Sequence, residues 1–588
     1  MPPSPSRRRV LSAVVGLVLV AAGAVALTRP LATLLVLAVV AGPAVVLGAV
    51  RALASPSTGS DLTPSWRGGR ARWWAAGVLA AVLAVGALLD VPRAVGLLPW
   101  LVALTLLGAA ARLVLRAVRG TGRAPRPVTL LAAVACAVAA WPVLTWPDLA
   151  LLLLATTSAL SAVVVGVRQL VRAVRPRRGR RTAPRWLVAT GFVTASTLVL
   201  LATAGLGWLR SDVAPVPDFY AWDGAIPAEP GTVLRTEAYD GEVPPASSAT
   251  RVLYTTTRQD GSAAVASAVV VVPDGESAAP RTVLAWQHGT TGVAQRCAPS
   301  LTAEAVTERN VPGVGEMVRR GWVVVATDYP GQGTAGRYPY LIGQGEGRAT
   351  LDAVRAARAL PAAQAGERVM LWGHSQGGHA TLWAGRIAAD YAPELEVASV
   401  AALSAASDPL ALAHAVLDDG ASPLGRAITS YVLVPYAQEY PDIRLVDTVH
   451  PAGRVFASEA ASRCASERGM LVTVLAAVAL GDRDALYDLD LEGGPVAERL
   501  RENAADGLVP APLFLGQGAD DEVVPIDIQR TLAGQLCAAG RDVEVHEYEG
   551  RTHMGVIAGD SPLLPDLFAW VDALDAGERE GVPRGCQS

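Results

Sequence analysis

Long apolar runs dominate the first third of the chain, whereas shorter apolar runs alternate with amphipathic ones over the rest. A helix that crosses a bilayer needs about 20 apolar residues. By that measure, seven segments are long enough to span a membrane: 10–28, 31–50, 73–90, 95–111, 128–146, 149–167 and 187–209. The pattern therefore predicts an all-α transmembrane domain of about seven helices over residues 1–210.

Arginines are distributed unevenly among the loops that join these segments. Twenty lie before the first segment or after the second, fourth and sixth, whereas the alternate loops carry only Arg29 and Arg93. Because positively charged loops remain in the cytoplasm, this asymmetry predicts a cytoplasmic amino terminus and an extracytoplasmic domain over 211–588. A cleaved signal peptide at the first segment is an alternative that gives the same final orientation. We expect a multi-pass protein of the plasma membrane.

The apolar segments hold no charged residue and no histidine well inside them. Ion and proton pathways usually need such groups at membrane depth. The pattern therefore favours a membrane anchor over a transporter. The chain is 588 residues long and 51% hydrophobic, and these segments account for its apolar excess.

After residue 210, short β-rich runs alternate with helical ones. Apolar strands alternating with helices predict a mostly parallel sheet with helices on both faces. The predicted strands are 268–272, 282–286, 322–327, 369–372, 397–403, 512–515 and 543–548, and the predicted helices are 311–320, 347–360 and 561–574. Helical patterns replace strands over 408–508, which predicts an insertion that either caps an active site or only adds scaffold.

Charge and cysteine content also distinguish the two parts of the chain. The part after residue 210 holds nearly all the acidic residues and all seven histidines, which suits an exterior domain and argues against nucleic-acid binding. Cys136 lies in an apolar segment, and the other four cysteines lie after residue 210. An even number outside the cytoplasm predicts two disulfides. Metal binding is the weaker interpretation, because no C-x-x-C or H-x-x-x-H spacing occurs.

The sequence G-H-S-Q-G at 373–377 stands between a strand pattern and a helix pattern. Strand, G-x-S-x-G and helix together predict a nucleophile elbow with Ser375 as the nucleophile. A Cβ two residues before or after the serine clashes in so tight a turn, and Gly373 and Gly377 avoid this clash.

A serine hydroxyl needs a base to take its proton, and histidine is the usual base. His553 follows the last predicted strand, where a loop can reach the edge of the sheet, and we expect it to be that base. His374 and His379 flank the serine, but we expect the elbow to point them elsewhere.

The acid that orients the histidine should follow the penultimate strand. Asp521 is favoured because Asp-x-Val-Val-Pro is a common arrangement at that place. Asp520 is a direct competitor, and Asp408 occupies a less common alternative position after the strand 397–403. Such an acid orients the imidazole and stabilises its charged form.

Donors for a tetrahedral oxyanion are predicted on two loops. The backbone N–H of Gln376, directly after the nucleophile, is one candidate. The second should lie on the loop 287–292, an HG-type loop after the strand 282–286. Thr290 is favoured there, with Gly289 as the alternative, and His288 is expected to be structural.

Several motifs together resemble the secretory lipase family, the α/β-hydrolases typified by fungal secreted lipases and their bacterial relatives. The matching stretches are F-Y at 219–220, G-T-V-L at 231–234, H-G-T-T-G at 288–292, C-A-P-S at 297–300, T-D-Y-P-G-Q-G at 327–333, L-D-A-V-R-A-A-R at 351–358, the elbow, and D-E-V-V-P at 521–525. The resemblance covers about 216–575, and the membrane domain departs from the secreted members.

The resemblance implies an α/β-hydrolase fold, ester hydrolysis, a helical cap at 408–508 and neither metal nor cofactor. It also implies that Cys297 pairs with a cap cysteine, Cys464, which leaves Cys537 to pair with Cys586. Its substrate would be a lipid or another ester.

Four functions are candidates, and the residues favour the first two. A membrane-anchored serine hydrolase that cleaves carboxylic esters, acylglycerols or other lipid esters among them, comes first. The same residues could instead transfer an acyl group to a sugar or lipid hydroxyl of the cell envelope. A peptidase on this fold lacks an evident acidic cluster to anchor an amine, and a non-enzymatic binding module would not need a complete triad with oxyanion loops.

Overall fold

The computed structural model describes residues 5–28, 89–120, 124–174, 184–211, 215–418, 423–451, 453–480, 486–507, 509–541 and 543–578, together with isolated positions between 33 and 87 and residue 213. The chain forms two compact units. One, the helical unit, comprises Met1–Asp212, Val449–Glu459 and Leu471–Asp488; the other, the sheet unit, comprises Val213–Thr448, Ala460–Met470 and Leu489–Ser588.

The amino-terminal part of the helical unit contains long apolar helices. In the described residues these are α1 (Pro5–Thr28), α2 (Val91–Arg119), α3 (Arg126–Thr145), α4 (Pro147–Val174) and α5 (Arg185–Leu209). Helix α1 packs along α4, and α3 packs against both α2 and α5. By length and composition, all five could cross a membrane. The predicted spans 31–50 and 73–90 lie outside the described residues except for a few positions.

A nine-stranded sheet forms the centre of the sheet unit. Its strands are β1 (Val233–Ala238), β2 (Ser247–Thr257), β3 (Ala263–Pro273), β4 (Arg281–Gln287), β5 (Val323–Thr327), β6 (Ala365–His374), β7 (Glu396–Leu403), β8 (Leu513–Gly518) and β9 (Val543–Tyr548). Their spatial order is β1-β2-β3-β5-β4-β6-β7-β8-β9. Strands β1, β2, β3 and β5 pair antiparallel, and all pairs from β5 to β9 are parallel. The mostly parallel α/β-hydrolase sheet is confirmed.

Helices follow most strands and fill the insertion. In the part after residue 212 that the structure describes, they are α6 (Val314–Arg319), α7 (Gly343–Arg358), α8 (Gln376–Tyr391), α9 (Pro409–Asp418), α10 (Pro423–Glu439), α11 (Leu445–Thr448), α12 (Gly453–Ala461), α13 (Met470–Leu480), α14 (Pro495–Glu502), α15 (Ile526–Ala538) and α16 (Leu563–Asp575). In the described residues of 408–508, helices α9 to α14 are joined by turns and loops, and none of the nine strands lies there.

Both faces of the sheet are buried. Along β4, Val283 and Ala285 belong to a core shared with α7, α8 and α15, whereas Leu284 and Trp286 belong to a core shared with α6 and α16. Alternate residues of a strand point to opposite faces, so the sheet lies between two helical layers. This double burial explains why the central strands are continuous apolar runs.

The sequence pattern missed β1 and β2. Strand β1 is partly exposed along its whole length and lies at the edge of the sheet. An edge strand need not be apolar on both faces, and this one therefore lacks the continuous run that identifies a central strand.

Candidate active site

Four loops meet at one edge of the sheet. They follow β4, β6, β8 and β9, which are mutually parallel. The carboxyl ends of parallel strands lie at the same edge, where α/β proteins bind their ligands. This arrangement brings together Ser375 after β6, Asp521 after β8, His553 after β9 and the HG-type loop after β4.

Ser375 is the single residue between β6 and α8, and it is nearly buried. Its backbone has φ 59° and ψ −120°, a strained conformation for a residue with a Cβ. A Cβ on Gly373 would lie 2.2 Å from the oxygen of Gly377, and a Cβ on Gly377 would lie 1.9 Å from the oxygen of Gln287. The two glycines therefore permit the sharp turn, which has the geometry of a nucleophile elbow.

His553 and Asp521 form a buried pair. The Nδ1 atom of His553 lies 2.8 Å and 3.0 Å from the two carboxylate oxygens of Asp521. Asp521 also accepts hydrogen bonds from the backbone N–H groups of Val523 and Val524. Burial alone would raise the pKa of Asp521, but the hydrogen bonds from His553 and the two amides lower it below its usual value. Asp521 is thereby held as a carboxylate that orients the imidazole.

The backbone of His553 is held on both sides. Its carbonyl oxygen lies 2.9 Å from Nε2 of His374, and its N–H donates to Glu522 at 3.1 Å. Burial, followed by the influence of His553, lowers the pKa of His374 to about 3. The imidazole of His374 is therefore neutral, and its Nε2 must carry a proton because a carbonyl oxygen only accepts.

Two groups that could donate to an oxyanion lie beside Ser375. Gln376 is the first residue of α8, so its N–H has no partner within the helix and lies at the positive end of the helix dipole. On the HG-type loop, a Cβ built on Gly289 would lie 3.5 Å from the Cβ of Ser375. Thr290 follows, and its hydroxyl lies 2.9 Å from that of Tyr340. With the loop in this position, either Thr290 or Gly289 could donate a hydrogen bond to an oxyanion formed at Ser375.

The alternative candidates have other contacts. The carboxylate of Asp408 accepts the N–H groups of Leu410 and Ala411 and so caps α9. Asp520 donates its N–H to the oxygen of Arg551, whereas the carboxylate that His553 contacts is that of Asp521. His288 is buried against Tyr329, and burial lowers its pKa to about 4.

Covalent and polar contacts fix the HG-type loop. A disulfide joins Cys297 to Cys464, the pair that the resemblance implies. Nearby, Ala465 donates its N–H to Thr291, and Arg296 pairs with Glu467 at 2.6 Å. These contacts tie the loop to the insertion. The second implied pair, Cys537 with Cys586, involves a residue outside the described part of the chain.

An apolar pocket lies among the helices of the insertion. It is lined by side chains of α9, α10 and α14, together with Leu341, Leu489 and Leu491. Leu341 and Leu412 line this pocket and also belong to an apolar cluster with Tyr340 and Val524. The cluster connects the pocket with the loops that carry Thr290 and Asp521. Among the described residues, no group of His, Cys, Asp and Glu could hold a metal ion.

Three contacts at the elbow and at the loop of His553 are not evident from the sequence: that of His374 with His553, that of Glu522 with the His553 N–H, and that of Glu346 with the side chain of Gln376. His374 was expected to point elsewhere, but its ring lies 4.6 Å from that of His553. The local turn fixes the position of the His374 Cα atom. What its side chain contacts depends on the loop of His553, which lies 179 residues later in the chain.

Comparison with known proteins shows which families the two parts of the chain resemble. Residues 299–580 match the secretory lipase family, and residues 14–74 and 131–202 match a short repeat of unknown function. The chain is 26% identical over 381 residues to a probable inactive lipase of Mycobacterium tuberculosis, covering 60% of this chain and 82% of the relative. It is 27% identical over 350 residues to a trichothecene C-3 esterase of Fusarium sporotrichioides, covering 56% and 76%.

A solved structure shows the same fold. Lipase A of Candida antarctica matches with a TM-score of 0.54 and 20% identity, covering 63% of this chain and 89% of the lipase. Together, the family and the lipase and esterase relatives support an ester-hydrolase activity for the sheet unit.

Proposed function

Because residues 299–580 match the secretory lipase family, we propose that this protein is a membrane-anchored serine hydrolase that cleaves carboxylic esters through an acyl-serine intermediate. The observation that carries the proposal is the pairing of His553 with Asp521 at the sheet edge where Ser375 occupies a strained elbow. A nucleophile, a base and an orienting acid thus follow parallel strands of one sheet.

In the proposed reaction, His553 takes the proton of the Ser375 hydroxyl as its oxygen attacks the ester carbonyl carbon. The bond to the alcohol breaks, the alcohol leaves with the proton from His553, and the acyl group stays on Ser375. Water then attacks the carbonyl carbon of the acyl-serine while His553 takes one of its protons. The bond between that carbon and the Ser375 oxygen breaks, His553 returns the proton to this oxygen, and the carboxylic acid is released. Asp521 stabilises the imidazolium form of His553 in both halves of the cycle.

The negative charge of each tetrahedral intermediate needs hydrogen-bond donors. The N–H of Gln376 and a donor of the HG-type loop, Thr290 or Gly289, would supply them. The loss of one such donor costs about 3 kcal/mol of transition-state stabilisation in other hydrolases. The fixed position of the HG-type loop, tied by the Cys297–Cys464 disulfide, supports this role.

The apolar pocket supports lipid esters as the substrate class. A fatty acyl chain would gain free energy by leaving water for this pocket, at roughly 0.8 kcal/mol per buried CH₂ group. The residues that link the pocket to the loops of the site, Leu341 and Leu412 among them, are apolar as well.

A relative of this chain is named a probable inactive lipase, so activity has to be argued from the chain itself. Here Ser375 has the elbow geometry, His553 has its acid, and the HG-type loop lies against the serine. These features support an active enzyme.

The five long apolar helices found among the described residues support membrane anchoring. The arginine asymmetry of the loops supports a cytoplasmic amino terminus and a catalytic domain on the outer side of the plasma membrane. Ester substrates would then come from the membrane or the cell envelope.

The decisive experiment uses the full-length protein in detergent micelles with p-nitrophenyl esters from acetate to palmitate. Ser375→Ala should lower kcat by about 10³-fold or more, and a fluorophosphonate probe should label the wild type only. Ser399→Ala is a matched control, since Ser399 is a buried serine of β7 away from the elbow. Equal labelling of the wild type and Ser375→Ala would refute the proposal.

The pocket has its own test. Ala413→Phe should fill part of the pocket and lower kcat/KM for long-chain esters while leaving acetate cleavage unchanged. Ala415→Phe is the control, because Ala415 is exposed on the same helix and does not line the pocket. An equal fall in kcat/KM for esters of all chain lengths would show that the pocket does not bind the acyl chain.

A further inference from the structure

A buried carboxylate lies directly behind the elbow. Glu346, in the first turn of α7, is fully buried. One of its oxygens accepts hydrogen bonds from the side-chain amide of Gln376 at 2.7 Å and from the N–H of Leu341 at 3.0 Å, and the other lies 2.8 Å from Nδ1 of His379. The reaction proposed above uses neither Glu346 nor His379.

The contacts of His379 determine how many protons the pair of Glu346 and His379 holds. Its Nε2 lies 2.8 Å from the carbonyl oxygen of Asn503, which can only accept, so Nε2 carries a proton. Its Nδ1 faces a carboxylate oxygen, so a second proton lies between His379 and Glu346. Whichever partner holds that proton, the pair as a whole is neutral and each nitrogen of the ring has a partner. A buried charge that is paired in this way is tolerated in a protein interior.

Gln376 connects this pair to the elbow. Its side-chain nitrogen donates to Glu346 and, at 2.7 Å, to the hydroxyl of Tyr338, which uses both protons of the amide. The backbone N–H of the same residue is the proposed oxyanion donor. A side chain that is held at its far end restricts the rotation of its own peptide group, and small displacements of an oxyanion donor are costly.

We propose that Glu346 is a positioning residue that holds the peptide of Gln376 in the orientation needed to stabilise the oxyanion. His379 holds Glu346 in turn, and Asn503 completes the chain of contacts from the end of the predicted cap insertion. Trp383 reinforces this end by donating its indole N–H to the oxygen of Asn503 at 3.2 Å. The elbow and the end of the insertion are therefore both held by the pair of Glu346 and His379. This inference rests on the proposed function.

A glutamine at position 346 can keep every contact. Its oxygen could accept from Gln376 and Leu341, and its amide could donate to Nδ1 of a neutral His379. An alanine keeps none of them. Glu346→Ala should therefore lower kcat by about 10- to 100-fold with little change in KM, whereas Glu346→Gln should stay within about threefold of the wild type.

A second readout reports on the oxyanion site directly. The affinity for butaneboronic acid, which forms a tetrahedral adduct with a serine oxygen, should fall in Glu346→Ala by a factor similar to the fall in kcat, because transition-state analogues use the same donors. Asp352→Ala is the matched control. Asp352 is a second fully buried carboxylate of α7, and it contacts Thr256, Tyr391 and Arg355 instead of the elbow. It should lower the melting temperature but change neither kcat nor boronate affinity by more than about threefold.

Gln376→Leu supplies an independent variant if Glu346→Ala does not fold. It keeps the backbone N–H and removes the anchor, so it should show the same loss of kcat and of boronate affinity. A kcat for both variants equal to that of Asp352→Ala, or a loss confined to KM, would overturn the inference. That result is distinct from failure of the proposed function, in which the wild type would not cleave esters or Ser375→Ala would cleave them equally well.

Discussion

The imidazole of His374 lies 2.9 Å from the carbonyl oxygen of His553. The residue before the proposed nucleophile thus holds the backbone of the proposed base, while Asp521 holds its ring. His374 and Ser375 are neighbours in one turn, so the contact of His374 links that turn to the loop of His553. The distance between nucleophile and base depends on this contact as well as on the acid.

We predict that His374→Phe lowers kcat by about 10-fold or more, because a loop released from its anchor no longer places His553 within a fraction of an ångström. The measurement is steady-state hydrolysis of p-nitrophenyl butyrate together with the rate of fluorophosphonate labelling, and both should fall in parallel. His546→Phe is the control, since His546 lies on β9 and bonds to Glu544. Unchanged labelling in His374→Phe would show that the contact has no positioning role.

We also predict a pH dependence of stability from the same residue. The pKa of His374 is lowered to about 3, chiefly by burial, whereas a histidine in an unfolded chain has a pKa of about 6.5. As the pH falls below about 6.5, the unfolded chain binds a proton that the folded protein does not. The free energy of unfolding therefore decreases by up to about 1.4 kcal/mol per pH unit until about pH 3.

Chemical unfolding of the full-length protein between pH 4 and pH 7.5 tests this dependence. The slope should be smaller in His374→Phe than in the wild type. Buried carboxyl groups with raised pKa values, such as Asp328 at about 6, contribute equally to both proteins and cancel in the difference. The same slope in both would mean that His374 titrates normally in the folded state.

Asp521→Asn should lower kcat by about 10⁴-fold, because an amide no longer stabilises the imidazolium and can favour the wrong tautomer of His553. Asp520→Asn should have little effect, since the hydrogen bond that Asp520 makes to Arg551 uses its backbone N–H. Steady-state kinetics of the two neighbouring variants decide between them. A severe loss in Asp520→Asn with a mild one in Asp521→Asn would reverse the assignment.

Loss of the Cys297–Cys464 disulfide should destabilise the sheet unit by about 2–5 kcal/mol, because the bridge closes a long loop. The double variant with alanine at both positions should unfold at lower denaturant and lose activity as the HG-type loop loses its tie. Cys136→Ala, which removes a free cysteine of α3, should behave as the wild type. A double variant with unaltered stability would count against the bridge in the folded protein.

Reporter fusions test the proposed orientation in the membrane. Alkaline phosphatase fused after Ser588 should be active, because this reporter folds only outside the cytoplasm, where the disulfides of the reporter form. The same reporter placed after Gly120, in an arginine-rich loop, should be inactive. The reverse pattern would place the catalytic domain in the cytoplasm and remove the argument for envelope esters.

Part of the site could be predicted from the sequence because it depends on neighbours in the chain. The elbow needs small residues at fixed distances from Ser375, and Gly373 and Gly377 show that need directly. The same holds for the continuous apolar strands, which any doubly covered sheet requires. The edge strand β1 escaped prediction because its exposed positions follow no such rule.

The roles of other candidate residues depend on how loops and helices that are distant in sequence pack together. Asp408 could be an acid by its position after β7, and only the course of α9 makes it a helix cap. Gly289 and Thr290 are adjacent in sequence, and both remain compatible with donation in the folded loop.

The long apolar helices, the alternation of apolar strands with helices and the elbow can be read from the sequence, because each follows from local backbone geometry or from local composition. The contacts of His374 with His553 and of Glu346 with Gln376 follow from the folded arrangement and not from any local pattern. Those pairs are separated by 179 and 30 residues along the chain. Their contacts exist because the parallel sheet brings distant loops to one edge, and that packing is a property of the whole fold.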